Sequence, residues 1–288
     1  MIKLKKIALV IINYNDYNST KHLLENVKSY KCLDLIVVVD NNSTDDSYKK
    51  LKKYDKNNIN VIKSKSNNGY ASGLNFGAKY VIEKLGKCNI IFSNSDIIIN
   101  NEGDIKELSK TINKMKVKVA GPVIVEGKTL NRGWKLSNTR DEILYNLPFI
   151  SRYFKKKLLY YDEEYYKDNI SMVGAVSGCF FVIDSTTLEE INYFDENTFL
   201  YFEENILAKK LRKINKQIAV NNMVVIVHNH SVTIDKNFDR VKKYKMLKES
   251  QKYYVDNYLE STKNQLFLLL LTNKLSLGIL YMRNMFRK

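Results

Sequence analysis

The chain has 288 residues, of which 44% are hydrophobic and 27% charged, which suits one sizeable α/β domain with an appendage and excludes a wholly disordered chain. Lysine and arginine outnumber aspartate and glutamate by 47 to 31, a net charge of +16. Such an excess favours contact with nucleic acid, an anionic membrane surface or phosphorylated small molecules, or else reflects a solvated lysine-rich surface. The three cysteines, Cys32, Cys88 and Cys179, lie far apart without a CxxC pair, which favours reduced thiols in a cytosolic protein.

The N-terminal segment MIKLKKIALVIINYN combines basic charge with an apolar run, as a signal peptide does. Asn13 and Asn15 follow at once and no small-residue cleavage site is present, so we interpret residues 7–12 as a buried first strand. No stretch of the sequence has about 18 uninterrupted apolar residues, the length that a membrane span needs.

Short apolar runs rich in β-branched residues predict parallel strands that are buried on both faces. They lie at residues 7–12, 35–39, 59–62 and 89–92. Helical patterns separate them at residues 19–30, 43–54 and 71–85. This alternation predicts a doubly wound sheet with right-handed crossovers.

Each of these predicted strands is followed by small, polar or acidic residues. The four segments are NYND (13–16), DNNS (40–43), NNGY (67–70) and SNSD (93–96). Because ligands bind at the carboxyl ends of the strands in such sheets, the four segments together indicate a built site.

The pattern changes after residue 100. Further strands are predicted at residues 119–125, 179–183 and 218–227, and a helix at 202–214. A region rich in tyrosine and lysine occupies residues 141–170, and residues 236–288 are predicted to be mostly helical and basic.

Seven segments occur in one order along the chain: IALVIINYN, VVVDNNSTDDS, NNGYASGLNFGAKY, FSNSD, GAVSGCFFVI, FDENTFLYFEEN and VHNHS. Together they resemble the family-two inverting glycosyltransferases of the GT-A fold, in particular the rhamnosyltransferase-like branch, over about residues 5–231. The resemblance implies a GT-A catalytic domain at residues 1–231, with a Rossmann-like, mostly parallel sheet flanked by helices. A helical, basic C-terminal extension is then expected at residues 232–288.

The resemblance also implies a reaction. A sugar would pass from a nucleotide-diphosphate donor to a lipid-linked polysaccharide precursor by direct displacement. L-rhamnose from dTDP-rhamnose is the first expectation and a hexose from a UDP-sugar the second.

Donor-binding roles follow from the resemblance for residues near the strand ends. They are Tyr14, Asn15, Asp40, Asn68, Gly69, Asn75 and Asn94. Tyr14 would pack against the base and Asp40 would accept the N–H of uracil or thymine, although Asp40 also suits a turn or a helix cap. Gly69, Gly73 and Gly77 put small residues on one helical face, which allows close approach of helix and sheet, and the start of that helix could bind a diphosphate.

A divalent cation, Mg²⁺ or Mn²⁺, would offset the charge that builds on a departing diphosphate, with carboxylate and phosphate oxygens as ligands. The family carries Asp-x-Asp, or a related Asn-Pro-Asp, where this chain has Asn94-Ser95-Asp96. Asp96 is therefore the expected ligand, and an amide stands in place of the first acid. His228 is the expected second ligand, with His230 as the alternative. A histidine with a purely structural hydrogen bond is the competing interpretation.

Inversion by direct displacement needs a base for the acceptor hydroxyl, which contributes roughly 10²–10⁴ in rate. The family's Glu-Asp pair corresponds here to Glu203-Glu204, so Glu204 is the expected base with Glu203 beside it. Two acids at this place also favour the start of a helix electrostatically. Cys179 is expected to serve packing.

Residues 152–157 and 236–248 are basic with interleaved aromatics, and the tail at 265–288 resembles an interfacial amphipathic helix more than a membrane span. This predicts a cytoplasmic enzyme, peripheral to the inner face of the cell membrane. A tail packed on the catalytic domain, or forming a homodimer, is the alternative.

Two other functions compete with glycosyl transfer. Asn94 and Glu204 depart from the family pattern, as expected for a sugar-nucleotide-binding partner subunit with weak catalysis. The net charge suggests a nucleic-acid-binding protein, but no binding motif is present, so no nucleic-acid partner is expected.

Overall fold

The computed structural model describes residues 5–113, 116–147, 158–229 and 239–285. The basic segment at 152–157, His230 and the first residues of the 236–248 segment lie outside this description.

One 10-stranded sheet forms the centre of the described protein. Its strands are β1 (Lys6–Asn13), β2 (Leu35–Asp40), β3 (Ile59–Lys63), β4 (Cys88–Asn94), β5 (Ile97–Ile98), β6 (Val117–Glu126), β7 (Thr129–Asn131), β8 (Ile170–Val173), β9 (Phe180–Asp184) and β10 (Gln217–His228). The order is β3-β2-β1-β4-β9-β6-β10-β5, with β7 paired to β6 and β8 to β10. Strands β1 to β4 are parallel, β9 runs antiparallel between β4 and β6, and β6 and β10 are parallel.

The helices of the described residues are α1 (Tyr17–Val27), α2 (Ser47–Leu51), α3 (Tyr70–Leu85), α4 (Glu102–Thr111), α5 (Thr139–Tyr145), α6 (Ser185–Glu190), α7 (Glu203–Lys213), α8 (Arg240–Tyr258) and α9 (Lys263–Met285). Short 3₁₀ turns lie at Lys52–Tyr54 and Glu163–Tyr166.

Helices cover both faces of the sheet, which is why the central strands are almost continuously apolar. In β1, Val10 belongs to a core with Leu74 of α3, whereas its neighbour Leu9 belongs to a second core with Leu23 of α1. The alternation of side chains along a strand sends these neighbours to opposite faces. The predicted mostly parallel α/β sheet flanked by helices is confirmed.

The C-terminal helices are present as predicted, and they pack on the sheet domain. Leu269 of α9 and Tyr254 of α8 share a small apolar core with Ile206 of α7. The Asn146 side chain, at the end of α5, donates a hydrogen bond of 3.0 Å to Thr272 Oγ1. The division at residue 231 stays a prediction.

Several element predictions need correction. The helix predicted at 43–54 shrinks to α2 and a 3₁₀ turn, because Ser43 and Thr44 donate their backbone N–H groups to Asp40 and Asn15 and form a loop instead. Helix α4, capped by Asn101 accepting from Asp104 N–H at 3.1 Å, was not predicted. Strands β5, β7 and β8 were not predicted either.

Candidate active site at the carboxyl edge of the sheet

Asp40 links the ends of β1 and β2 through hydrogen bonds. Its carboxylate accepts hydrogen bonds from the Asn13 amide at 2.8 Å and from Ser43 N–H at 2.9 Å. The residue is fully buried, at 0% exposure. The structure therefore gives Asp40 a role in holding the loop, and its predicted contact with a nucleotide base stays a prediction.

The loop after β1 is bonded to the loop after β2. Asn15 adopts the left-handed backbone region, with φ of 51°, which asparagine tolerates better than most residues. Its side-chain oxygen accepts the Thr44 N–H at 2.8 Å. Tyr14, next to it, is half-buried. The two loops form one surface, on which both residues were predicted to bind the donor.

The start of α3 depends on a glycine. Gly69 has φ of +105°, and a Cβ there would lie 2.5 Å from the Phe199 carbonyl oxygen. The exposed Asn68 precedes it. One and two turns further on, the helix lies close to the sheet: a Cβ on Gly77 would lie 2.5 Å from a methyl group of Val10. The close approach of helix and sheet predicted from the glycine spacing is confirmed.

Asn75 of α3 is 3% exposed and bonds to the segment that precedes α7. Its amide nitrogen donates to the Phe194 carbonyl at 2.9 Å and to Glu196 at 2.7 Å, and its oxygen accepts Phe194 N–H at 2.9 Å. These bonds fix that segment against α3. The predicted role of Asn75 in donor binding stays a prediction.

Asp96 and His228 come together, although 132 residues separate them in the chain. The short strand β5 pairs with the end of β10, His228 opposite Ile97, and so holds the Asp96 loop beside the histidine. Asp96 Oδ1 lies 3.1 Å from His228 Nε2. Both residues are buried, at 8% and 9% exposure. The sequence predicted this pair as metal ligands, and the structure gives the pair the necessary proximity.

Glu126 completes the other side of the histidine and was not predicted. Its Oε1 lies 2.7 Å from His228 Nδ1. Glu126 is the last residue of β6, so the rule that polar residues at strand ends build the site could have found it. Glu126 was nevertheless not predicted, because the position of β6 beside β10 cannot be derived from the sequence.

Cys179 also faces this cluster. Single donor atoms of Glu126, Cys179 and His228 all lie within 4.8 Å of one another. The predicted packing role of Cys179 is confirmed as well, since it belongs to the core on the α1 side. This group of three offers a carboxylate, an imidazole and a thiol, and Asp96 lies on the Nε2 side of the same imidazole ring. Carboxylate and imidazole groups are ligands that divalent cations accept.

His228 is strongly basic in this setting. Burial works against the charged ring, but its hydrogen bonds to Asp96 and Cys179 and the charges of these two groups outweigh burial and raise the pKa of His228 to about 11. The raised pKa favours the protonated form of the ring. A cation that binds through this ring must displace that proton.

Glu203 and Glu204 begin α7 after two residues in a strained conformation. Tyr201 and Phe202 have φ of 77° and 69°, a region that bulky side chains rarely adopt. Phe202 is held by the ring of Tyr254, with centroids 5.3 Å apart. Strain of this kind persists only when neighbouring packing fixes it, and it is common at functional sites.

The two glutamates differ in their surroundings. Glu204 is partly exposed, and its Oε1 accepts the Gly178 N–H at 3.0 Å. Glu203 is 6% exposed, and its Oε1 has no hydrogen-bond partner among the described residues. Burial and the charge on Glu204 raise the pKa of Glu203 to about 8. Burial also raises the pKa of Glu204, but the Gly178 N–H favours its charged form. The charge on Glu204 therefore favours a proton on Glu203, and the Gly178 N–H favours the charged form of Glu204.

Tyr70 connects the two acidic groups and was not predicted. Its hydroxyl lies 2.8 Å from Asn94 Oδ1 and 2.9 Å from the Gly178 carbonyl oxygen. Asn94 leads into the Asp96 loop, and Gly178 holds Glu204. Burial, followed by the charges of Cys179 and the two α7 glutamates, raises the pKa of Tyr70 well above its usual value, so the hydroxyl stays a donor.

The fold is similar to that of solved glycosyltransferases of the GT-A class. Among solved structures, GalNAc-T7 with UDP, GalNAc and Mn²⁺ is similar, with a TM-score of 0.62 and 16% identity over 81% of this chain but only 45% of that one. The mannosyltransferase PcManGT from Pyrobaculum calidifontis, in complex with GDP-Man and Mn²⁺, has a TM-score of 0.59 and 13% identity, covering 96% of this chain and 73% of that one. At these identities the likeness shows the fold alone.

The Glycosyl transferase family 2 model matches residues 8–185, and the chain belongs to that family. Over 232 residues, 80% of this chain and 69% of the relative, it is 26% identical to the low-salt glycan biosynthesis hexosyltransferase Agl10 of Haloferax volcanii. Over 121 residues it is 35% identical to the dTDP-rhamnosyl transferase RfbF of Shigella flexneri, which covers 42% of this chain and 39% of that protein. The family is confirmed, and the rhamnosyltransferase branch has support from this partial match.

Proposed function

We propose that the protein transfers a six-carbon sugar from a nucleotide-diphosphate donor to a glycan hydroxyl group with inversion at the anomeric carbon. The observation that carries this proposal is the division of the site into two acidic parts joined by Tyr70. One part, around Asp96 and His228, suits the diphosphate and a cation, and the other presents Glu204 as a base.

In the proposed reaction, the residues of the chain move one proton and position the reacting groups. Glu204 takes the proton of the acceptor hydroxyl while that oxygen forms a bond to the anomeric carbon. The bond from that carbon to the diphosphate oxygen breaks in the same step, and the electron pair leaves with the diphosphate. Burial and the charge on Glu204 make Glu203 hold a proton more readily than an ordinary glutamate, which limits charge repulsion at the start of α7.

Asp96 and His228 would hold Mg²⁺ or Mn²⁺, with Glu126 bonded to the far nitrogen of the histidine ring. A carboxylate in that position fixes the tautomer and orientation of a ligating histidine. When bound, the cation neutralises charge that develops on the leaving diphosphate. The two similar structures, one with UDP, GalNAc and Mn²⁺ and the other in complex with GDP-Man and Mn²⁺, support this assignment.

The donor is proposed from the relatives. Rhamnose is itself a six-carbon sugar, so a rhamnosyl transferase and a hexosyltransferase agree on sugar size. dTDP-L-rhamnose is the first donor to test, supported by the higher identity. UDP-hexoses are second, supported by the longer match to a hexosyltransferase.

The acceptor is proposed to be a lipid-linked glycan precursor at the cytoplasmic face of the cell membrane. A relative named for glycan biosynthesis supports the glycan. The apolar C-terminal helix supports the location.

The proposal is tested by thermal shift with a panel of nucleotide sugars, each with Mn²⁺, Mg²⁺ or EDTA. We expect one donor to raise the melting temperature, and more so with a cation. Slow hydrolysis of that donor without acceptor should then disappear in Asp96→Asn and persist in Asp256→Asn, an exposed acid on α8.

Other outcomes decide against the proposal. Failure of every donor and nucleotide to stabilise the protein would refute it, and salt-sensitive binding of oligonucleotides would then favour the nucleic-acid alternative. Stabilisation by a donor without any turnover would favour the partner subunit.

A further inference from the structure

Helix α9 buries several polar side chains against the protein together with Leu269 and Leu280, and it exposes many of its large apolar side chains. Thr272, Asn273 and Ser276 are buried, at 7%, 8% and 5% exposure. On the other side lie large apolar residues that are roughly half exposed or more: Phe267 at 66%, Leu268 at 47%, Leu271 at 45%, Leu275 at 53% and Met282 at 54%. A helix on a soluble protein has the opposite arrangement.

These exposed residues form one continuous face. Phe267, Leu271 and Leu275 follow each other at intervals of four, and Leu268 and Met282 flank that row. Contiguous apolar patches of this kind on a protein surface mark contacts with a partner or a membrane. We call these five residues the outer face of α9.

The helix lies along the protein and does not leave it. The segment Lys263–Arg283 is long and apolar enough to cross a membrane, with a hydropathy of 1.4, and it is the one such helix among the described residues. However, Leu269 is fully buried in the core shared with α7 and α8, and Thr272 is bonded to Asn146. A helix that packs along one side on the sheet domain can lie in a bilayer interface, whereas spanning the bilayer would require those contacts to break.

Charge decides between a bilayer and a second copy of the chain. Lys274 is exposed on the same side of α9, Arg283 lies at its end, and Lys245 of α8 sits 5.8 Å from the centre of the Tyr281 ring. The whole chain carries +16. Two copies meeting at this face would bring the same cations together, whereas anionic headgroups attract them.

We infer that the outer face of α9 docks on the surface of an anionic phospholipid bilayer, with its leucines among the acyl chains and the neighbouring lysines at the headgroups. The proposed membrane contact rests on the proposed function in one respect: its purpose would be to give the enzyme access to a lipid-linked acceptor. Because Ile206 and Leu269 share one core, docking also sets the position of α7, which carries Glu204, relative to the membrane.

The test is co-sedimentation of the full chain with phosphatidylcholine vesicles that contain or lack phosphatidylglycerol. We expect binding to the anionic vesicles that weakens with added salt. The double variant Leu271→Ser/Leu275→Ser should bind at least about tenfold more weakly, because two apolar side chains that would be buried among the acyl chains are replaced by polar ones. The matched control is Leu130→Ser, which changes a leucine with 55% exposure on β7 and should bind as the native chain does.

Light scattering and a donor-induced thermal shift complete the design. The native chain should be monomeric without lipid, and both variants should keep the donor-induced shift. Equal vesicle binding by the double variant, or no vesicle binding by the native chain, would overturn the inference. The inference would also be overturned if the native chain and the Leu130→Ser control were dimers and the double variant a monomer, since the outer face of α9 would then be a contact between copies. If no donor raises the melting temperature of the native chain, the proposed function fails, whereas the vesicle result still decides whether the outer face of α9 binds membranes.

Discussion

Gly178→Ala should remove most catalysis without unfolding the protein. A Cβ at this position would lie 2.5 Å from Glu204 Oε1, the oxygen that the Gly178 N–H holds at 3.0 Å. A carbon and an oxygen normally approach to about 3.3 Å, so the carboxylate must move by about 0.8 Å or rotate away. The obstructed group is the flexible end of a side chain, so the fold can accommodate the change.

The size of the effect follows from the role of Glu204. A displacement of about 1 Å at a reacting group can cost about 10²-fold in rate, close to 2.7 kcal/mol of transition-state stabilisation. We expect kcat to fall by about that factor. The dissociation constant of the nucleotide should stay unchanged, because neither residue belongs to the cation cluster.

The assay is steady-state transfer with the donor found by thermal shift, together with calorimetric binding of the nucleotide and a melting curve. Gly278→Ala is the matched control, because a Cβ there meets nothing within 4 Å. Glu204→Gln should lose at least as much activity, and combining it with Gly178→Ala should add nothing further. An unchanged kcat in Gly178→Ala, or additive losses in the double variant, would refute the assignment of Glu204 as a base held by Gly178.

Three further predictions concern pH, metal and packing. Burial raises the pKa of Glu203 to about 8, so the folded state binds more protons than the unfolded chain between the ordinary glutamate pKa and that value. Stability should therefore fall as pH rises through this window, and Glu203→Gln should flatten that fall in melting curves; an unaltered slope would contradict the raised pKa. Glu126→Ala should weaken Mn²⁺ binding, followed by electron paramagnetic resonance, by about 10–100-fold because the His228 ring loses its orienting carboxylate, and unchanged affinity would exclude that role. Gly77→Ala should destabilise the protein by about 1–3 kcal/mol in urea unfolding, since the new Cβ would lie 2.5 Å from a Val10 methyl group, and a stable variant would show that the valine can move.

The central sheet was predictable because its strands are buried on both faces. Runs such as LIVVVD in β2 leave no polar position for a solvent-facing side, so β-branched content and burial point to the same structure. The segment DNNSTDD also has the composition of a helix start, but Asn15 and Asp40 capture its N–H groups, and those contacts join different strand ends. Local sequence cannot predict them.

The candidate site was predictable where its residues follow a strand or begin a helix, as Asp96, His228 and Glu204 do. Tyr70 and Glu126 were missed because their partners lie 108 and 102 residues away in the chain. Their roles depend on strand order, in particular on the antiparallel β9 between β4 and β6. Asn75 was named from the sequence as a donor-binding residue, but its structural partners could not be named. The hydrogen bonds of its amide reach a segment about 120 residues further on.

The small core shared by Ile206, Tyr254 and Leu269 has a practical consequence for anyone preparing this protein. The outer face of α9 is an aggregation liability in water, and removing α9 is the obvious way to improve solubility. That truncation would also uncover Tyr254, whose ring supports the strained Phe202 immediately before Glu203. Solubility gained by deletion would therefore be accompanied by a loosened start of the catalytic helix, whereas replacing the outward leucines one by one with polar residues would leave it intact.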